Sequence, residues 1–374
     1  MRFHARAGAG PPGKDSGNFL TRIERLNAAI GLQEHEAVII YKPANLFYLI
    51  GFTGEGLALI GAKGKIVVTD SRYEEQAQRQ CPGCEILSVG KGQTHEELAA
   101  GRCRRWNVTT LYYEDDAVTV RTFERARRVT EGVAWKALRD DIERLRQVKD
   151  DGEIALIEKA CKITGDSFRR ILGKIREGMT EKELAAALDY DMLSHGADGL
   201  AFDTIVAAGA NGSLPHAVPG AYRIRRGDMI TMDFGAKVGG YCADMTRTVA
   251  FGQPGDEMKR VYETVRVAQQ MAKDAVRAGG DCRAIDAVAR DYIGRHGYEG
   301  RFGHGLGHSL GIEIHEGPRL SASAAGTLEV NQLMTVEPGV YLPGVGGVRI
   351  ENTVVVENGG CRALTLPTRE LLIL

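Results

Sequence analysis

The sequence predicts a two-domain α+β protein, with an N-terminal α/β domain followed by a larger domain made of two copies of one half-domain. Three observations carry this expectation. The chain has 374 residues, more than one ordinary domain holds. Short β-branched runs alternate with helix-like stretches up to a charged segment at 137–160. Beyond that segment, the sequence repeats itself at nearly constant offsets.

Residues 1–17 are rich in Gly and Pro and have no apolar stretch of the kind a secretory signal needs, so they are expected to form a flexible leader. The first domain is expected over 18–147. Its strand-like runs are AVIIY (37–41), EILSV (85–89), TTLYYE (109–114) and LALIGAKGKIVVTD (57–70), the last folded back at AKGK. Helix-like SRYEEQAQRQ (71–80) and HEELAAGRCRRW (95–106) lie between them. Ile142, Leu145 and Val148, then Ile154, Ile157 and Ile163, keep helical spacing, and the second domain is placed at 148–374.

That second domain carries an internal duplication. GMTEKELAAALDY from Gly178 matches GGDCRAIDAVARDY from Gly279, and His195-Gly196 matches His296-Gly297, all at an offset of 101. Thr180 with Glu183 forms a capping box, and Asp281 is the cap of the second copy. MITMDFGA (229–236) matches LMTVEPGV (333–340) at offset 104, and GGYCADMTRTV (239–249) matches GGVRIENTVVV (346–356) at offset 107. Asp233 thus falls on Glu337 and Asp244 on Glu351, so each copy contributes a pair of acids to one central cluster.

Residues 229–238 read as one strand, and Gly239-Gly240 turns the chain back, so that Asp233 and Asp244 face each other across a hairpin. Both acids, like Glu337 and Glu351, lie in apolar or β-branched surroundings. Buried carboxylates are costly unless paired or bound to metal. Arg349 and Arg247 are expected to neutralise part of the charge, which leaves a salt-bridge network short of cations. RFGHGLGHSLGIEIHE puts His304, His308 and His315 close together, and His216 follows a turn-like Ser213-Leu214-Pro215. Oxygen donors with one imidazole suit Mn²⁺, Co²⁺, Fe²⁺ or Zn²⁺, and shared carboxylates can bridge two ions about 3.5–4 Å apart in a hydrolytic site.

Composition narrows the alternatives. With 43% hydrophobic and 26% charged residues and a net charge of −1, nothing points to nucleic acid or a membrane surface as partner. Seven cysteines, an odd number, argue for reduced thiols in a cytoplasmic protein rather than a disulfide framework. Cys81-Pro-Gly-Cys84 reads as a turn, since no second such pair is present to complete a zinc site.

With Asp233 and Asp244, SLPHA (213–217), GHGLGHSLGIEIHEGP (303–318) and TVEPGVYLPGVGGVRIE (335–351) in one chain, the sequence resembles the pita-bread (creatinase/aminopeptidase) metallopeptidases. It is most similar to their Xaa-Pro aminopeptidase and Xaa-Pro dipeptidase (prolidase) group. NLFYLIGFTG (45–54) and VVTDSRYEEQA (67–77) resemble the creatinase-type N-terminal domain that accompanies that fold. The resemblance implies two divalent ions per subunit, manganese foremost, with cobalt, zinc or iron as alternatives. Asp233 would hold one ion, Asp244 and Glu351 both, and His308 with Glu337 the other. It further implies a bridging hydroxide as nucleophile, Glu337 as proton shuttle, and His216 and His315 as partners of the scissile carbonyl. His304, Arg319 and Arg349 fall on the substrate side: His304 lines the pocket, Arg319 takes a free substrate carboxylate, and Arg349 chiefly orients the bridging carboxylates. Proline-containing peptides as substrates and a homodimer follow from the same likeness. Asn352 departs from the Asp common there, and alternation along the strand points it away from the cluster. Rival readings are a methionine aminopeptidase, which normally lacks the N-terminal domain, and a non-catalytic scaffold, which typically loses ligands; a metal-free, creatinase-like hydrolase fits poorly because the full ligand set is present.

Overall fold

The computed structural model describes residues 16–374. The leader expected over 1–17 lies outside the described residues except for its last two, which begin the helix Ser16–Ile30. The chain forms two compact units that divide between Arg146 and Gln147.

The first unit is built on a six-stranded mixed sheet. In spatial order its strands are Glu85–Ser88, Gly64–Thr69, Leu57–Gly61, Glu36–Ile40, Thr110–Tyr113 and Ala134–Ala137. The two strands of the Leu57–Thr69 hairpin lie antiparallel, while Glu36–Ile40 and Thr110–Tyr113 run parallel. Ile39, Leu59, Ile66, Val68 and Leu111 are buried on one side of this sheet with Ala99, Cys103 and Trp106 of the helix His95–Trp106. Cys81-Pro-Gly-Cys84 is a turn at the end of the helix Glu74–Gln80, with the amide of Cys84 on the carbonyl of Cys81 at 3.1 Å and Gly83 at φ 83°. Burial pushes the Cys81 thiol up to about 12, so it is held as an unreactive thiol. All seven cysteines are free.

The second unit shows the duplication as structure. The helices Glu181–Ser194 and Cys282–Ile293 start 101 residues apart. Thr180 and Glu183 cap the first reciprocally, and Asp281 Oδ1 accepts from the amide of Ala284 at 2.8 Å at the second. Each cap residue also bridges to a strand-like residue, Thr180 to Arg223 and Asp281 to Thr327. Two three-stranded sheets share a matching antiparallel pair, Asp228–Phe234 with Met245–Phe251 and Leu333–Val336 with Asn352–Glu357, while the third strand is added beside the first member in one and beside the second in the other. One joins Ile205–Ala208, Asp228–Phe234 and Met245–Phe251; the other joins Leu333–Val336, Asn352–Glu357 and Gly360–Ala363.

Two expectations are corrected. Residues 229–238 are not one strand: Asp228–Phe234 and Ala236–Val238 belong to different sheets, broken at Gly235. A Cβ on Gly235 would lie 1.9 Å from the carbonyl oxygen of Ala243, so the chain passes too closely there for any other residue. The break also shifts the pairing, and Asp233 sits opposite Thr246 rather than Asp244. Arg247, expected to offset carboxylate charge, instead donates to backbone carbonyls. It reaches Thr246 O at 2.9 Å, Pro367 O at 2.8 Å and Thr368 O at 2.9 Å, and also Glu351 O. It ties the C-terminal segment to the strands, and burial lowers its pKa to about 10. Among the described residues, no helix is long and apolar enough to cross a membrane.

Candidate active site

Alternation along the strands brings the acids together. Asp233 near the end of one strand and Asp244 just before its partner share a face, because Asp233 pairs with Thr246 and Thr246 lies two residues from Asp244. Glu351 enters from the second copy: its amide bonds to Thr246 O at 3.1 Å, and Thr246 Oγ1 donates to Glu351 Oε2 at 2.8 Å. Asp233, Asp244 and Glu351 each offer an oxygen, and these atoms lie within 4.8 Å of one another. Glu337, just past the strand Leu333–Val336, completes the group with His308 Nε2 3.3 Å from its Oε1 and 3.6 Å from Asp244 Oδ2.

The electrostatics are those of a site short of positive charge. Burial first, then the negative charge of Glu351, Asp233 and Glu337, raises the pKa of Asp244 well above the carboxylate range. Glu351 is raised likewise by burial, then by Glu337 and Asp233. Burial pushes Glu337 up to about 7, against the pull of Arg349 and with a further push from Asp233. Asp233 Oδ1 and Glu351 Oε1 are buried with no hydrogen-bond partner. The buried guanidinium in the cluster is Arg349, whose Nη2 reaches Asp233 Oδ2 at 2.7 Å. Its other contacts are Tyr341 Oη at 2.8 Å, Thr246 Oγ1 at 3.1 Å and Pro215 O at 3.2 Å.

The tautomer of His308 adds to this. Its Nδ1 faces the Ser309 carbonyl at 3.1 Å and must carry the proton, since a carbonyl only accepts. Burial lowers its pKa and keeps the ring neutral. Nε2 therefore turns its lone pair toward the carboxyl groups of Glu337 and Asp244, the orientation of a metal-ligating imidazole. Orphaned oxygens and an inward lone pair together fit divalent metal ions.

Above the acids lies a pocket of about 520 Å³. Its lining includes His216, His304, His315 and Arg319, with Phe202, Ile205, Ile314 and Leu320 as apolar wall. His315 meets His308 edge-on, with ring centroids 4.5 Å apart. Among the described residues, no hydrogen bond holds the ring of His216 or His315, and no carboxylate pairs with the exposed Arg319. The segment bearing His315 is braced from below by buried Lys149, whose Nζ contacts Ser309 Oγ and Glu316 Oε2, each at 3.1 Å. Asn352 points away as expected, donating to Thr365 O at 2.6 Å.

Sequence reasoning missed three supporting residues. Tyr341 Oη donates to His304 Nε2 at 2.9 Å while accepting from Arg349, and burial holds His304 neutral with a pKa pushed down to about 4. Thr335 Oγ1 donates to Glu337 Oε1 at 2.9 Å and accepts from the amide of His308 at 3.0 Å. Thr246 links Glu351 to Arg349. Both threonines lie two residues from a carboxylate, so period two carried the signal for them. Tyr341 had none.

A pocket floored by carboxylates and a neutral imidazole, with two buried carboxylate oxygens that have no hydrogen-bond partner, is that of a metal-dependent hydrolase. Comparison with known proteins narrows this. The profile of metallopeptidase family M24 matches residues 155–358, and that of the creatinase/prolidase N-terminal domain matches 22–148. The peptidase YqhT of Bacillus subtilis is 39% identical over 94% of this chain and 100% of its own length. An Xaa-Pro dipeptidase of Pyrococcus furiosus is 36% identical over 94% of this chain and 99% of its own. Among solved structures, an Xaa-Pro dipeptidase from Bacillus anthracis superposes with TM-score 0.91 at 36% identity, covering 96% of this chain and 100% of that one. An X-Pro aminopeptidase from Thermotoga maritima superposes with TM-score 0.87 at 38% identity, covering 94% and 100%. The chain belongs to metallopeptidase family M24, with the pita-bread fold and a creatinase-type N-terminal domain, and the family implies divalent metal ions.

Proposed function

We propose that the protein is a two-metal peptidase that hydrolyses the bond between an N-terminal residue and proline, with Xaa-Pro dipeptides as preferred substrates. The convergence of four carboxylates with His308 below the pocket, leaving Asp233 Oδ1 and Glu351 Oε1 without partners, carries the reading. The Xaa-Pro class is supported by the relatives named above.

In this reading Asp233, Asp244, His308, Glu337 and Glu351 would hold the ions. Divalent ions held there would supply Lewis acidity for the scissile carbonyl and for water near neutral pH. The chain's own groups do the rest. Glu337, fixed by Thr335, accepts a proton and delivers it to the leaving prolyl nitrogen, a secondary amine that must be protonated to depart. His216 and His315 donate to the scissile carbonyl oxygen as it gains charge. Arg349 holds Asp233 and Tyr341, so it orients the cluster, and its engaged donors leave little for substrate.

Arg319 separates dipeptidase from aminopeptidase. An exposed guanidinium lining the pocket fits the free carboxylate of an Xaa-Pro dipeptide, which longer peptides lack at that place. Metal-stripped protein, reloaded with Mn²⁺, Co²⁺ or Zn²⁺, is to be assayed on Ala-Pro, Ala-Pro-Ala and Met-Ala-Ser. Ala-Pro is expected to be cut best, and Arg319→Ala to raise its KM by about 10- to 100-fold, the worth of one charge-assisted contact. Equal cleavage of Ala-Pro-Ala with no effect of Arg319→Ala would make the protein an aminopeptidase. Cleavage of Met-Ala-Ser alone would sink the proline reading.

A further inference from the structure

We propose that Glu181 is a positioning residue for His216: its buried carboxylate gathers Ala208, Asn211 and Gly220, and so fixes the loop that carries the imidazole. The inference rests on the proposed Xaa-Pro hydrolysis for its kinetic readout, although the loop-holding itself does not.

His216 lines the pocket, yet no hydrogen bond holds its ring among the described residues. Its placement therefore comes from the backbone of residues 209–219. At the tip of that loop Leu214 is 57% and Val218 84% exposed, and of its apolar side chains only the small Ala217 is buried. The loop is held by polar contacts at its ends. Glu181 is 0% exposed, and its Oε1 accepts from the amide of Ala208 at 2.8 Å, where the strand Ile205–Ala208 stops. Oε2 accepts from the amide of Gly220 at 3.0 Å, where the loop ends. Asn211 Nδ2 bonds both oxygens at 3.1 Å and brings in the short 3₁₀ turn Gly209–Ser213. One acceptor-only group thus closes a loop whose midpoint presents His216. Beside that ring the carbonyl of Pro215 accepts from Arg349 at 3.2 Å, and the amide of Ala217 donates to Leu214 O at 3.2 Å.

The bland reading is that Glu181 favours the start of its helix, as acids in a first turn do. The duplication argues against it. The equivalent helix begins at Cys282 with no acid in its first turn, and its cap Asp281 serves as Thr180 does. The helix needs a cap, and the loop needs the carboxylate. Glu181 does not line the pocket, so it acts through His216.

The test uses the metal-loaded full chain. Glu181→Gln keeps the shape but turns an N–H toward an N–H, so at least one of the loop bonds is lost. Its kcat on Ala-Pro is expected to fall about 10- to 100-fold, the usual result of displacing a reacting group by about an ångström, with KM and metal content unchanged. In a His216→Ala background the same change should cost nothing further, because its effect runs through that ring. Asn211→Ala, which spares the carboxylate, should lower kcat in the same direction and by less. Amide hydrogen exchange over 208–220 should quicken in Glu181→Gln while the helix 181–194 stays protected. Additive losses in the His216→Ala background, or unchanged exchange in the loop, would overturn the proposal. If the parent protein does not cut Ala-Pro, the hydrolysis reading fails, and the exchange measurement alone decides whether Glu181 holds the loop.

Discussion

Glu351→Gln is expected to leave the protein folded, to lose metal, and to lower peptidase activity by about a thousandfold, since a Lewis-acid site is worth several kcal/mol in the transition state. Glu351 is buried at the seam between the two copies, held by Thr246 on one oxygen and unpartnered on the other. The amide keeps the first contact and removes the charge that a shared ligand needs. Metal analysis of the dialysed variant beside its kcat checks this. Full metal content with low activity would move Glu351 out of the ligand set.

The same crowding gives the stripped protein a pH signature. Burial raises Glu337 from its ordinary 4.5 to about 7, so the folded chain keeps a proton that the unfolded chain releases. The stability contributed by that proton is complete below the unfolded value and is lost as pH rises through about 7, a change on the order of 3 kcal/mol. Asp244 and Glu351, also raised, act in the same direction. Thermal unfolding in chelator should therefore show a melting temperature that falls from about pH 5 to about pH 8, and added Mn²⁺ should abolish the fall. A flat profile in chelator would mean that the four acids do not repel one another as the geometry requires.

The second large effect is expected at the pocket histidines. His315→Ala and His216→Ala should each lower kcat by about 100- to 1000-fold, the range for losing one donor to a developing oxyanion. Metal content should stay at the parent level. Among the described residues neither ring makes a salt bridge to the four acids: His315 meets the edge of His308, and His216 reaches the pocket from a loop. A loss of metal in either variant would reassign that histidine as a ligand, and a change confined to KM would make it a binding residue.

What was legible in the sequence follows from periodicity and duplication. The constant offset of 101 between the Gly178 and Gly279 segments becomes two capped helices with the same start, because helix caps are local. The duplication placed Asp233, Asp244, Glu337 and Glu351 in one cluster, and the structure brings them together with His308. Close approach of chains was not legible. Gly235 breaks a run that reads as one strand, for the sake of a carbonyl eight residues away that the local pattern does not contain. Arg247 looked like a counter-ion because it sits near acids, but its partners are carbonyls of residues 367 and 368, brought by the C-terminal segment. The helix Pro43–Ile50 is buried on nearly every side and so shows no amphipathic stripe. Tyr341 was hidden because its hydroxyl acts off its own strand, on Arg349 of the paired strand Gly346–Arg349 and on His304 of another segment.

The central claim is that two divalent ions at this cluster make the chain an Xaa-Pro peptidase. Its most direct test is a titration of metal-stripped protein with Mn²⁺, with Ala-Pro hydrolysis followed at each addition. No cleavage is expected without metal, and the rate is expected to climb and level off at two equivalents per chain. Hydrolysis by the stripped protein, a plateau at one equivalent, or a folded and fully loaded protein that leaves Ala-Pro intact would each contradict it.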